Sequence, residues 1–191
     1  MQTKAQTPRI STYHLVLCAL FAALTAVCAQ ITIPIGAVPI TLSLLPVLLC
    51  GALLSPGYAV LAMAVYMVMG LIGLPVFSGL AGGPAKLFGV TGGYIIGYLP
   101  CVLIEAVMIG KMGRAYWKQC VAMVVGVLVC YAFGTAWFMV TKGTDLMTSL
   151  SLCVLPFLPF DAVKILLAAF LSLRLEKPLQ KAQAAFGQHR R

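Results

Sequence analysis

One acid and one base stand three residues apart at the head of a long apolar run. The stretch PFLPFDAVKILLAAFLSL, residues 156–173, contains Asp161 and Lys164 and no other charged residue. Pro159 suits the first turn of a helix, and the i, i+3 spacing places the acid and the base on one face. Each ionisable group inside a bilayer costs roughly 2.5–3.5 kcal/mol on insertion scales. The pair therefore predicts a ligand-binding cavity or, as the alternative, a mutual salt bridge.

Other polar and aromatic groups favour the cavity. Lys86 lies in the glycine-rich connection GLPVFSGLAGGPAKLFGVTGGY, residues 73–94, and is either a second cation facing the pair or a solvated loop lysine. Glu105 falls inside a predicted helix, as a structural acid or a partner of Lys164. A cavity with cations, a carboxylate and aromatic rings suits a small, partly apolar molecule with an anionic end and N–H donors. The candidate rings are Phe77, Tyr94 and Phe160.

The sequence contains few of the motifs that are typical of catalysis or cofactor binding. It contains only 4 Asp and Glu residues, and the patterns H-E-x-x-H and G-x-S-x-G do not occur. Residues 79–86 lack the phosphate-binding loop pattern, so nucleotide energy would have to come from another subunit. The 7 cysteines form no C-x-x-C pair and are expected to pack as small apolar residues, without a metal. A different functional class stays open as an alternative to ligand binding: an intramembrane enzyme that uses Asp161 and Lys164 as acid and base.

The composition indicates an all-α membrane protein. Hydrophobic residues make up 62% of the chain and charged residues 9%, whereas soluble domains are about 25% charged. Apolar runs predict a bundle of six transmembrane helices, the first of them an uncleaved helix and not a signal peptide. Their approximate ranges are 14–33, 40–54, 58–72, 92–109, 119–141 and 159–174.

The distribution of basic residues predicts the orientation. The formal charge of +9 arises mostly at segment ends and tails, which is typical of the positive-inside rule and not of a nucleic-acid interface. Cations cluster in the N-terminal tail, between the fourth and fifth helices and at the C-terminus, so both termini are expected in the cytoplasm of a bacterial cell. The predicted organisation is a tail over 1–13, a transmembrane substrate-binding domain over 14–175 and a basic tail over 176–191.

Small residues recur at every fourth position in three of the predicted helices. Such stripes let another backbone approach closely, within this chain or in a partner. For the fourth and fifth helices we favour packing within the chain, and for the first helix the choice stays open. The stripes are Ala19, Ala22, Ala23 and Ala26; Gly89, Gly93 and Gly97; and Ala122, Gly126, Cys130 and Gly134.

Four blocks together resemble a known family. They are ITIPIGAVPITLSLLPVLLCGALLSP (31–56), YMVMGLIGLPVFSGLAGG (66–83), GVTGGYIIGY (89–98) and PFDAVK (159–164). Over residues 14–175 the chain resembles the BioY family, the substrate-binding S components of energy-coupling-factor (ECF) biotin transporters. The resemblance implies a six-helix protein that captures biotin outside and works with a transmembrane T subunit and two ATPase subunits. A solitary biotin carrier without ATPase partners is the alternative.

The resemblance also implies site residues. The loop from Gly83 to Tyr94 and the Asp161/Lys164 pair would line the pocket, with biotin N–H groups on Asp161 and the ureido oxygen or the carboxylate on Lys164. The predicted biotin-binding residues are Asp161, Lys164, Lys86, Tyr94, Gly92, Gly93 and Phe77, with Lys86 as a second cation for the carboxylate. The alanines of the first helix, Ala19, Ala22, Ala23 and Ala26, resemble the motif by which S components dock on the T subunit.

Overall fold

The computed structural model describes residues 12–34 and 38–188 and is almost wholly helical. A two-stranded antiparallel hairpin between the first two helices pairs Thr32 with Thr41 and Ile33 with Ile40. The elements in chain order are α1 (Thr12–Gln30), β1 (Thr32–Ile33), β2 (Ile40–Thr41), α2 (Leu44–Leu53), α3 (Pro56–Leu71), α4 (Pro84–Leu87), α5 (Gly92–Met112), α6 (Tyr116–Lys142), α7 (Leu146–Cys153) and α8 (Leu158–Gln188).

Three of these helices, α1, α5 and α6, are long and apolar enough to cross a membrane, and α7 with α8 counts as a fourth if the pair, bent by 54°, is one span. The helices α2 and α3 are apolar but shorter, with 10 and 16 residues. Each of the six predicted segments overlaps a helix of the structure, but the first continues into β1 and the second begins in β2. The hairpin, α4 and α7 were not predicted.

The last helix runs further than its predicted end near residue 174. It has 31 residues and continues through Pro178, which lies inside it. A proline in a helix interior loses one backbone hydrogen bond. Just beyond it, the Tyr13 hydroxyl of α1 donates to the Leu179 carbonyl at 2.7 Å and ties this part of α8 to the bundle. The region predicted as a tail from residue 176 is therefore helical as far as Gln188.

Small residues join α5 to α6, as predicted. A side chain on Gly126 would meet Cys101 Sγ at 3.1 Å, and one on Gly97 would meet Cys130 Sγ at 3.2 Å. Gly134 leaves room for the ring of Tyr94. The stripes of the fourth and fifth predicted helices therefore serve packing within this chain, with the α5 and α6 backbones in close approach.

A capped turn separates α6 from α7. Gly143 ends α6 in the left-handed conformation, with φ +64°, which glycine adopts at little cost. Asp145 then caps α7, because its Oδ2 accepts a hydrogen bond from the Thr148 amide at 3.2 Å. Hydrogen bonding from the Thr148 side chain, and then from its backbone amide, favours the ionised acid and holds the pKa of Asp145 below its ordinary value.

The two long connections meet at one end of the bundle through Gln30, the last residue of α1. Its side-chain amide donates to the Phe77 carbonyl at 3.1 Å and its oxygen accepts from the Leu80 amide at 2.8 Å. The glycine-rich connection is thereby fixed beside the hairpin that follows α1. Both border the cavity described next.

Candidate functional site

A cavity opens between the hairpin, the glycine-rich connection and the helices α5, α6 and α8. It encloses about 670 Å³ not filled by protein atoms, the space at its mouth included. Among the described residues that line it, Asp161 and Lys164 are the only acidic and basic side chains. The lining consists of Ala29, Val38, Pro39, Thr41, Ser43, Leu44, Tyr66, Ser78, Thr91, Tyr94, Ile95, Tyr98, Val127, Cys130, Tyr131, Phe157, Asp161 and Lys164.

The predicted pair forms a buried ion pair in the first turns of α8. Lys164 Nζ lies 2.7 Å from Asp161 Oδ1, and only 3% of Asp161 and 8% of Lys164 are exposed. Two further contacts fix the pair: Lys164 donates to the Thr41 carbonyl at 2.7 Å, and the Tyr131 hydroxyl donates to Asp161 Oδ2 at 2.5 Å. The pair is thus anchored to β2 and to α6.

Hydroxyl groups extend this network along the cavity wall. Thr41 Oγ1 lies 2.6 Å from Ser43 Oγ, which lies 2.7 Å from the Tyr98 hydroxyl. All the groups involved line the cavity. We call the six residues of this network the polar belt: Tyr131, Asp161, Lys164, Thr41, Ser43 and Tyr98. Its one negative and one positive charge cancel, so the belt is neutral overall.

The ion pair keeps part of its hydrogen-bonding capacity free for a ligand. An ionised carboxylate has about four acceptor positions and an ammonium group three N–H donors. Asp161 accepts one protein hydrogen bond on each oxygen, and Lys164 uses two donors, on Asp161 Oδ1 and the Thr41 carbonyl. Each Asp161 oxygen can therefore accept one more N–H, and Lys164 can donate one more hydrogen bond. This set matches a group that presents an N–H donor directly beside a carbonyl oxygen.

Aromatic rings form much of the remaining wall. Tyr94 and Phe157 stack with centroids 6.4 Å apart and ring planes at 8°. The Tyr94 hydroxyl is held by the Cys153 carbonyl at 3.1 Å. Tyr66 lies across the cavity, with its hydroxyl 3.3 Å from the Val76 carbonyl. Such a wall suits an apolar ring or chain attached to the polar group.

Three of the seven predicted site residues, Asp161, Lys164 and Tyr94, line the cavity, and four lie elsewhere. Phe77 is fully buried, packed edge-on against Tyr66 at 5.5 Å and over Gly70, so it belongs to the core. Gly92 lies against the Leu87 carbonyl, and Gly93 against Trp137 of α6. These two glycines allow close backbone packing behind the cavity.

The two other predicted ionisable candidates also lie outside the lining. Lys86 is half-buried in the short helix α4. Glu105 is fully buried in α5 against Gly51 of α2, and neither carboxylate oxygen has a hydrogen-bond partner among the described residues. The expected bond between Glu105 and Lys164 is therefore not formed. The predicted ring Phe160 is 42% exposed and does not line the cavity.

The alanines of α1 divide into two faces. Ala22 is 1% exposed and packs inside the chain, and Ala26 is half-buried. Ala19 and Ala23 are exposed, one turn apart on the same face. Ala19 and Ala23 are therefore accessible to another molecule, whereas Ala22 is not, and the role of the four alanines in docking stays a prediction.

Sequence reasoning missed four members of the polar belt. Tyr131 and Tyr98 lie in apolar helices, where a tyrosine reads as core. Thr41 and Ser43 precede α2 and read as residues at a helix start. Thr41 and Ser43 do lie in the block 31–56, one of the four that carry the family resemblance. That resemblance was the one sequence signal for them, and the Thr41 carbonyl is the partner of Lys164.

Comparison with known proteins gives one consistent family. The model of the BioY family matches residues 1–181. A probable biotin transporter BioY from Pyrococcus horikoshii is 38% identical over 160 residues, which cover 84% of this chain and 94% of that protein. The biotin transporter BioY of Thermotoga maritima is 35% identical over 165 residues, covering 86% and 96% of the two chains.

A solved structure has the same fold. It is the S component for biotin from an ECF-type ABC transporter, determined at 2.1 Å, and it superposes with a TM-score of 0.83 at 29% sequence identity. The match covers 91% of this chain and 95% of that one. The likeness thus extends over almost the whole chain.

Proposed function

The chain belongs to the BioY family, and on that premise we propose that it is a membrane-embedded substrate-binding component that takes up biotin. The observation that carries the proposal is the free hydrogen-bonding capacity of the polar belt. Biotin contains a cyclic ureido group with two N–H donors beside one carbonyl oxygen. Asp161 can accept one of these N–H groups, and Lys164, directly beside it, can donate to the carbonyl oxygen on the same edge of the ring.

The wall around the belt fits the rest of the molecule. The thioether ring of biotin is apolar and packs against Tyr94, Phe157 and Tyr66. Tyr131 orients the Asp161 carboxylate through its hydroxyl at 2.5 Å. Thr41 fixes the Lys164 ammonium through its carbonyl. Both charged groups are therefore held in place before a ligand arrives, which reduces the cost of ordering them on binding.

A calorimetric titration of the purified, detergent-solubilised protein tests this function. Biotin is compared with lipoate, which has a carboxylate chain and a sulfur-containing ring but no ureido group. We expect saturable binding of biotin and none of lipoate at the same concentration. Absence of biotin binding by a well-folded protein would refute the function, and equal binding of lipoate would refute recognition through the ureido group.

The proposed topology has six membrane-crossing helices and cytoplasmic termini. Three basic residues cluster at the α5–α6 turn, which is typical of a cytoplasmic connection: Lys111 in the last turn of α5, Arg114 in the connection and Lys118 in the first turn of α6. The cavity lies between the hairpin and the start of α8, at the opposite end of α5 from this turn. A cavity at that end faces the outside, where biotin is captured.

We also propose that the chain delivers biotin with a transmembrane T subunit and two cytoplasmic ATPase subunits, docked through the exposed face of α1. Replacing Ala19 and Ala23 by leucine should leave biotin binding intact and abolish ATP-driven uptake in cells that hold those subunits. The matched control replaces Ala132 and Ala136, an exposed alanine pair at the same spacing on α6. If the leucine substitutions at Ala19 and Ala23 leave uptake unchanged, docking through α1 is refuted. If wild-type protein takes up biotin in cells that lack the partner subunits, it acts as a solitary carrier.

A further inference from the structure

Among the described residues, the cavity holds one cation, and that cation already has an anionic partner. Lys164 is paired with Asp161 at 2.7 Å and also bonded to the Thr41 carbonyl. Lys86, the other lysine predicted for the pocket, is absent from the lining. Residues 35–37, which precede the lining residue Val38, are Ile, Gly and Ala and carry no side-chain charge. The cavity thus offers no unpaired cation to a carboxylate.

A carboxylate placed at the polar belt would also be repelled. It brings acceptors only, so it can use the free donor of Lys164 but neither of the free acceptor positions of Asp161. Its negative charge would lie beside that of Asp161 in a buried site, where like charges are poorly screened. A neutral ureido group can donate one N–H to Asp161 and accept the free donor of Lys164 without adding charge. The belt therefore selects the ring end of biotin over the carboxylate end.

Away from the polar belt, the described lining is neutral. Ser78 and Thr91 offer hydroxyls, and Val38 and Pro39 are apolar. A solvated carboxylate gains little from such a surface beyond weak hydrogen bonds that water replaces readily. The charge on the ligand's chain would then contribute little to its affinity.

From these contacts we infer that the site recognises the ureido ring alone and accepts biotin derivatives whose carboxylate is neutralised, such as esters and amides. This inference rests on the proposed function and extends the substrate class from free biotin to biotin with a capped chain. Recognition lies in Asp161, Lys164 and Tyr131. Lys86 takes no part in it.

Competition calorimetry with biotin, biotin methyl ester and biotinamide on the full chain tests the inference. We expect the three affinities to agree within about threefold, because a charge-assisted hydrogen bond to the carboxylate would give biotin an advantage of at least about tenfold. An advantage of that size over both derivatives would overturn the inference while leaving biotin uptake standing. Absence of binding by biotin itself would instead refute the proposed function.

Two variants test whether Lys86 or Lys164 binds the carboxylate on the ligand's chain. Lys86→Gln is expected to bind biotin and its methyl ester as the wild type does; a loss for biotin alone would identify Lys86 as the carboxylate partner and overturn the inference. Lys164→Met is expected to weaken both ligands by the same factor, because both present the same ring to Lys164. If Lys164→Met weakens biotin at least about tenfold more than the ester, Lys164 binds the carboxylate and the inference is wrong.

Discussion

Replacing Asp161 by asparagine should weaken biotin binding by about one to two orders of magnitude. The carboxylate accepts one hydrogen bond from Lys164 at 2.7 Å and one from Tyr131 at 2.5 Å, and it keeps one acceptor position on each oxygen for the ligand. Asparagine keeps a single oxygen and replaces the other by an NH₂ donor. If that oxygen stays on Lys164, the new donor faces one of the biotin N–H groups.

The magnitude follows from the bond that is lost. A hydrogen bond to a charged group contributes about 1.5–3 kcal/mol, and each 1.4 kcal/mol is a factor of about ten in Kd. The proposed bond from the ureido N–H to the carboxylate is lost, so the Kd should rise about 10- to 150-fold.

Calorimetry on folded protein measures this change, with thermal unfolding recorded alongside because Asp161→Asn also removes the anion beside Lys164. Glu176→Gln is the matched control. It neutralises an acid that is paired with Arg114 at 3.4 Å and does not line the biotin cavity, so biotin affinity should be unchanged. A folded Asp161→Asn protein with wild-type affinity would refute recognition through this carboxylate and leave the ion pair a structural role.

Two further substitutions test the hydroxyl group that positions Asp161 and the helix contact between α5 and α6. Tyr131→Phe removes the hydroxyl that holds Asp161 Oδ2, so we expect a folded protein with biotin Kd raised about tenfold by calorimetry; unchanged affinity would contradict a positioning role. Gly126→Leu should destabilise the α5–α6 contact by about 1–3 kcal/mol, since even its Cβ would lie 3.1 Å from Cys101 Sγ. Gly110→Leu, on an open surface of α5, is its control in thermal unfolding, and equal losses would contradict the packing argument.

Helix positions and the α5–α6 contact could be predicted from the sequence because both depend on local patterns. Long apolar runs have few alternatives to helix in a membrane, and small residues at every fourth position indicate close helix contact. The hairpin and the continuation of α8 through Pro178 depend on tertiary contacts. One such contact is the bond from Tyr13 to the Leu179 carbonyl, 166 residues away in the chain.

The centre of the candidate site was predictable and its walls were not. Asp161 and Lys164 stand out because charges are costly in an apolar helix. Residues near them in the fold do not stand out in the same way: Tyr131 is an aromatic residue in a helix rich in apolar ones. Phe77 comes from the connection beside the cavity, yet its ring turns into the core. Sequence proximity to a pocket does not determine the direction of a side chain.

The structure of the biotin complex tests the central claim most directly. We predict one ureido nitrogen within about 2.7–3.2 Å of an Asp161 oxygen and the ureido oxygen at the same distance from Lys164 Nζ. The carboxylate should bind neither of these two side chains. A complex in which the biotin carboxylate binds Lys164, with the ureido ring elsewhere, would contradict the account.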